Sequence, residues 1–282
     1  MSAPTNGPES DGNLLDAVFP AGTLRVLQLT DTHIYAESDG QLLGINTLHS
    51  MQQVIARFRD THWPVDILLA TGDLVHDASP RGYRKMAGML AGFDVPVLSL
   101  PGNHDVSTIM HDHLRAPGVT TSPVSDHGAW RFIMLDSVIP HDEGGHLSTE
   151  QIELLDDALA STPEHALVCM HHQPVKVGSA WIDTMAIDNP ADFFDVIDRH
   201  DCVRGILWGH VHQTFEGSRN GVRLMASPST CVQFAPNEDD FRVDHEPPGF
   251  RILALHADGT IDSQVVRVDA MPQGIELASS GY

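Results

Sequence analysis

Apolar runs of strand length recur along this chain, and each breaks off at a cluster of polar residues. Leu24 to Thr30 (LRVLQLT) ends at Asp31-Thr32-His33, which predicts a strand delivering polar groups from its C-terminal end. Ile45, Leu48, Val54, Ile55 and Phe58 then keep helical spacing across Ile45 to His62. The next strand, Asp66 to Ala70, stops at Gly72-Asp73. Arg81 to Gly92 predicts a second helix, and Val95 to Leu100 a strand ending in Pro101-Gly102-Asn103-His104-Asp105. The unit so far is βαβαβ.

After a helix around Ser107 to Leu114, Trp130 to Asp136 (WRFIMLD) predicts a buried strand. Ser148 with Gln151 forms a capping box that opens a helix running to Ala160. Leu167 to Met170 and Gly205 to Trp208 are short apolar runs that each end at histidines, with a helix at Ala191 to His200 between them. From Gln213 the texture changes to strand-like stretches, Val222 to Ala226, Arg251 to His256 and Ile261 to Val268, the last two joined by an Ala257-Asp258-Gly259 turn. Ala235 to Gly249, dense in Pro, Asp, Glu and Gly, reads as a surface loop that could serve as a lid or a dimer contact. Alternating strands and helices followed by hairpins predict an α/β architecture of two packed sheets flanked by helices. The polar clusters fall at strand ends, the edge where α/β sheets bind ligands.

Composition narrows the function. The chain has 282 residues, 41% of them hydrophobic, enough for one domain over residues 21–282 behind a polar tail, residues 1–20, expected to be disordered. A formal charge of -22 argues against binding nucleic acid through its phosphates, and any phosphate-bearing substrate would need cations from elsewhere. Cys169, Cys202 and Cys231 are too few, and odd in number, for a disulfide framework. No stretch approaches the roughly 20 apolar residues that cross a bilayer, and no signal-peptide pattern opens the chain. The expectation is a soluble, cytoplasmic protein.

Five blocks carry candidate chemistry: Asp31-x-His33, Gly72-Asp73, Gly102-Asn103-His104-Asp105, His171-His172 and Gly209-His210-Val211-His212. On an extended chain, residues two apart point to one side, so Asp31/His33 and His210/His212 can converge on one cavity. The glycines permit sharp turns and close backbone approach. Any one block is an ordinary loop: Gly-Asp is a common turn, Asn-His-Asp can cap a helix, His-x-His can be an exposed strand pair. Five of them at successive strand ends argue against coincidence.

The order D-x-H, G-D, G-N-H-D, H, G-H-x-H resembles that of the calcineurin-like metallophosphoesterases, over about Gln28 to His212. More narrowly the chain resembles the bacterial class III 3',5'-cyclic AMP phosphodiesterases. The residues that carry this are Leu29 to His33, Ala70 to Leu74, Leu100 to Asp105, Ser227 to Phe234 (SPSTCVQF) and the final Gly281-Tyr282. The resemblance implies a four-layer α/β/β/α sandwich of the metallophosphoesterase type. It implies one metal ion on Asp31, His33, Asp73 and His212 and another on Asp73, Asn103, His171 and His210, with Asp73 bridging. Two divalent or mixed-valence ions are expected, iron or manganese first, magnesium or zinc as alternatives. The implied chemistry is in-line attack on phosphorus by a hydroxide bridging the metals, cyclic AMP giving 5'-AMP. His104 stands outside the ligand set as the catalytic residue, and His33, Asp73, Asn103, His104 and His212 face the substrate phosphate or nucleotide.

Some assignments stay open. His172 is either a hydrogen-bonding neighbour of the site or a loop residue, and Asp105 either orients His104 or caps the next helix. Nothing in the spacing of His76, Asp77, His111 or His113 demands a metal. Gly72-Asp73 continues as Leu74-Val75-His76-Asp77, with no Arg, where phosphoprotein phosphatases of this kind often continue with Asp-Arg-Gly, and the missing Arg favours a singly charged diester over a dianionic monoester. Glycerophosphodiesters and 2',3'-cyclic nucleotides are the rival substrates. Neither an adenine-binding motif nor an oligomeric state, homodimer or otherwise, can be read from the residues.

Overall fold

The computed structural model describes residues 13–162 and 164–281. In chain order, β1 (Leu24–Leu29) is followed by a small hairpin, β2 (Gln41–Leu42) and β3 (Ile45–Asn46), then α1 (Thr47–Asp60), β4 (Ile67–Thr71), α2 (Pro80–Ala91), β5 (Val97–Leu100), α3 (Ser107–His113) and β6 (Val119–Thr120). The chain continues through β7 (Val124–His127), β8 (Trp130–Met134), α4 (Thr149–Ala160), β9 (His165–Cys169), α5 (Ala180–Asp183), α6 (Pro190–Ile197), β10 (Val203–Trp208), β11 (Phe215–Arg219) and β12 (Val222–Ala226). It closes with β13 (Gly249–Leu255) and β14 (Ile261–Arg267).

The first sheet has the order β14-β13-β1-β4-β5-β6 and the second β11-β12-β10-β9-β8-β7. In the first, β1, β4, β5 and β6 run parallel; in the second, β8, β9, β10 and β12 do. Period-2 alternation sorts their side chains into layers. Leu27, Leu29, Leu68 and Ala70 pack under Val54, Phe58, Met86 and Leu90 of α1 and α2. Val26, Ile67, Leu69, Leu98 and Leu100 face Phe132, Leu167, Cys169 and Leu207 of the other sheet. Ile133, Ala166, Val168 and Ile206 lie under Leu155, Leu159, Phe193 and Ile197 of α4 and α6. Helix, sheet, sheet, helix is therefore the layering, as expected. Strands covered on both faces read as unbroken apolar runs, which is why they were visible in the sequence.

The differences are local. α1 begins at Thr47 and not Ile45, because Ile45 and Asn46 pair with Gln41 and Leu42, and the Asn46 side chain caps the helix by accepting from His49 N at 2.8 Å. Ser148 caps α4 as predicted, but Gln151 does not complete the box; its Oε1 accepts instead from Asp136 N at 3.0 Å. Edge strand β11 (FEGSR) was missed because no apolar run marks it. Of the expected tail, residues 1–12 lie outside the described residues. Within the rest, Leu14–Asp16 forms a 3-10 turn, Leu14 is buried, and its N–H donates to Gln264 Oε1 at 2.7 Å. Among the described residues no helix is long and apolar enough to cross a membrane.

Candidate metal centre

The parallel strands β1, β4 and β5 bring Asp31 and His33, Asp73, and Asn103 and His104 to one edge of the first sheet. β9 and β10 bring His171, and His210 and His212, to the matching edge of the second. Convergence is not reached by the extended geometry expected from the spacing. Asp31, His33, Asp73, His210 and His212 all have positive φ, between 45° and 66°. Left-handed backbone costs a non-glycine residue roughly 1–2 kcal/mol. Neighbouring loops hold it in place: Asp31 N donates to Gly72 O (3.0 Å), His33 N to Asp73 O (2.8 Å), and His210 N to Asp31 Oδ1 (3.0 Å). Two glycines permit the packing. A Cβ at Gly72, whose φ is +93°, would lie 2.2 Å from His171 Nδ1, and one at Gly209 would lie 2.1 Å from Thr30 Oγ1.

The side chains meet at short range. His212 Nε2 is 3.3 Å from Asp31 Oδ1 and 3.3 Å from His33 Nε2. His171 Nε2 is 3.3 Å from Asp73 Oδ2, 3.2 Å from Asn103 Oδ1 and 4.0 Å from Asp31 Oδ1. His33 Nε2 is 3.7 Å from Asp73 Oδ2. Asp31, His33 and His212 can thus share one ion, and Asp31, Asp73 and His171 another.

The donor chemistry fits cations. His212 Nδ1 lies 2.8 Å from Val232 O and His171 Nδ1 2.9 Å from Thr71 O. A carbonyl only accepts, so both Nδ1 atoms carry a proton and Nε2 is the nitrogen each ring turns inward, toward two carboxylates. Burial, strengthened by nearby imidazoles, holds His33 and His210 well below the ordinary histidine pKa, so both are neutral. The buried Nε2 of His210 finds no hydrogen-bond partner. Buried carboxylates and an unpartnered imidazole nitrogen in a closed space are costly without a cation between them. On His171 burial opposes charge, but Asp73 and Asp31 outweigh it and push its pKa up to about 9, so a proton held there must leave when a metal binds.

Comparison with known proteins agrees with this geometry. Residues 24–214 match the calcineurin-like phosphoesterase family. The chain belongs to the calcineurin-like phosphoesterases. It is 40% identical to the 3',5'-cyclic AMP phosphodiesterase CpdA of Vibrio vulnificus, over 92% of this chain and 96% of that one. With the enzyme of the same name from Pseudomonas aeruginosa it shares 38% over 100% of both chains. Among solved structures, a zebrafish dimetal phosphatase is similar in fold, with TM-score 0.59, 14% identity, and 87% and 99% of the two chains covered. A purple acid phosphatase from yellow lupin has TM-score 0.60 and 18% identity, over 90% of this chain and 53% of that one. Calcineurin-like phosphoesterases use a dinuclear metal centre, and the His and Asp groups described above are its candidate ligands.

Further polar residues surround this phosphoesterase centre. His104 N donates to Asp73 Oδ1 at 2.9 Å, and its ring lies 4.9 Å from that of His33, outside the groups that gather the carboxylates. His76, set aside from sequence, has its Nδ1 3.1 Å from His33 Nδ1. Burial, then the neighbouring His104, lowers its pKa to about 4. His172 is not a surface loop residue: it is fully buried, 4.6 Å ring to ring from His210, with Ser137 Oγ 2.8 Å from its Nδ1. Asp105 does not cap the next helix. Its carboxylate accepts from the backbone N–H of Gly102 (2.9 Å), Leu74 (3.0 Å) and Val75 (3.1 Å) and from Tyr83 Oη (2.9 Å), tying two ligand loops together. The N-cap position of α3 is Val106, which supplies no side-chain cap.

Proposed function

We propose that this chain hydrolyses 3',5'-cyclic AMP to 5'-AMP, with Asp31, His33, Asp73, Asn103, His171, His210 and His212 holding two metal ions. The observation that carries the proposal is the 38% identity, end to end, with the Pseudomonas aeruginosa cyclic AMP phosphodiesterase. Asp31, His33, Asp73 and His212 serve one ion and Asp73, Asn103, His171 and His210 the other. Mixed nitrogen and oxygen donors suit iron or manganese, with magnesium or zinc as substitutes. When bound, such ions supply Lewis-acid charge to the phosphoryl oxygens and acidify a water for in-line attack.

The side chains then divide the remaining work. His104, fixed through its backbone N–H to Asp73, donates an imidazole N–H to the phosphate and passes that proton to the departing ribose O3'. The amide of Asn103 orients the same phosphate. After Gly72-Asp73 the chain continues Leu74-Val75-His76-Asp77, with no Arg of the kind a phosphatase of phosphoproteins brings. A monoanionic diester needs less cationic charge than a dianionic monoester, so this favours a diester. We assign the enzyme to the cytoplasm, in keeping with three unpaired cysteines.

The test is turnover by protein loaded with manganese or iron across cyclic AMP, cyclic GMP, 2',3'-cyclic AMP and a glycerophosphodiester. Cyclic AMP should be converted to 5'-AMP. Rapid cleavage of bis(p-nitrophenyl) phosphate with cyclic AMP left intact would overturn the proposal.

A further inference from the structure

A cavity of about 210 Å³ opens beside the candidate metal centre. Asn103, His104 and His210 line one side of it, and Trp181, Met185 and Phe241 another. Glu143 is the single charged side chain among its described lining residues, which include no Lys or Arg. An anion is therefore disfavoured here, and the substrate phosphate belongs on the metal side. Whatever enters is the uncharged part of the same molecule. Pockets for whole drug-sized ligands run to roughly 300–1,000 Å³, so this one suits a fragment such as a flat heterocycle.

The apolar side is aromatic and continuous with the metal centre. Trp181 meets Phe241 edge to face at 5.0 Å and Phe234 at 5.2 Å. Phe234 in turn lies parallel to His212, 4.2 Å between centroids and 7° between planes. Phe241 comes from the Ala235 to Gly249 loop, whose role the sequence left open. That loop is pinned through Ala235 N to Arg242 O (2.8 Å), Asp244 N to Gln233 O (2.9 Å) and Ala180 N to Glu238 O (3.0 Å). It forms a wall.

Resting on the diesterase reading above, we infer that Trp181, Phe241 and Met185 form the subsite for the nucleobase, holding it while the phosphate reaches the metals. Aromatic rings offer stacking surface to any base, and Met adapts its shape to the ring that arrives. Affinity through this wall depends on the base being present and not on the phosphate.

The test uses bis(p-nitrophenyl) phosphate as reporter, with 5'-AMP and ribose 5-phosphate as inhibitors of the metal-loaded enzyme. In the unaltered enzyme 5'-AMP should bind tighter than ribose 5-phosphate. Trp181→Ala and Phe241→Ala should weaken 5'-AMP about 10-fold or more while leaving ribose 5-phosphate within about two-fold. Phe241→Leu, which keeps the loop packed but removes the ring, should act in the same direction. Equal binding of the two inhibitors by the unaltered enzyme, equal weakening of both in the variants, or no weakening of 5'-AMP would overturn the inference. Cyclic AMP turnover is measured alongside, and its absence would overturn the proposed activity without altering the inhibitor comparison.

Discussion

The imidazole of His76 lies nearly parallel to that of His104, with ring centroids 4.5 Å apart and 22° between planes. The same ring approaches His33 through its Nδ1. One side chain thus touches both a candidate ligand and the residue assigned to the leaving oxygen. His76→Ala should lower manganese affinity or activity by about 10- to 100-fold, as loss of a ligand's outer partner does. His76→Gln, which keeps a partner for His33 but not the stacking surface, should restore the affinity measured by metal titration more than it restores kcat.

Removing His104 separates chemistry from metal binding. His104→Ala should depress kcat by about 10²- to 10⁴-fold, the usual range for a positioned acid or base. Metal content, read by elemental analysis of the purified protein, should stay that of the unaltered chain. Undiminished turnover would take His104 out of the mechanism.

Asp73 is in a different position. Its carboxylate lies 3.3 Å from His171 Nε2 and 3.7 Å from His33 Nε2, between the two ligand groups, and it also holds the backbone of His104. Asp73→Ala should strip the protein of most of its metal, and elemental analysis checks this directly. Full metal retention would refute the bridging role.

Two glycine substitutions should behave in opposite ways. At Gly209 an added Cβ would sit 2.8 Å from Asp31 Oδ2 and 3.0 Å from Thr71 O. Gly209→Ala should therefore cost both metal binding and thermal stability. Gly88, in α2, has nothing within 4 Å of the same position. Gly88→Ala should raise stability by about 0.4–1 kcal/mol in urea unfolding and leave turnover alone.

Arg251 joins the two sheets from within. It is fully buried, its Nε donates to Ser227 Oγ at 2.9 Å and its Nη2 to Ala226 O at 2.6 Å, and it pairs with Glu216. Arg251→Leu would leave these acceptors without their donor. Denaturant unfolding should show a loss of about 3–5 kcal/mol.

Much of this was legible in the sequence, for one physical reason. Strands buried on both faces leave apolar runs, and a metal centre leaves His and Asp at their ends, so Asp31, His33, Asp73, His171, His210 and His212 could be named before any coordinate. The route by which they converge could not. Left-handed φ at Asp31 or His212 is imposed by backbone bonds to other loops, which the local sequence does not announce. His76 and Asp105 act through partners on other loops, so neither follows from spacing. The aromatic wall joins α5 to the Ala235 to Gly249 loop, a meeting that no local pattern announces.

The pairing of β1 with β13, Leu24 opposite Leu255, sets the timing of assembly. The strand bearing Asp31 and His33 at its end is flanked by β4 on one side and on the other by β13, which is made after every candidate ligand. A nascent chain can own every ligand through His212 and still present β1 with an open edge. Such distant pairings form late, after the chain between them has collapsed. Synthesis of the closing hairpin is thus the event that commits the first sheet to its final shape, and catalytic competence on the ribosome should wait for it.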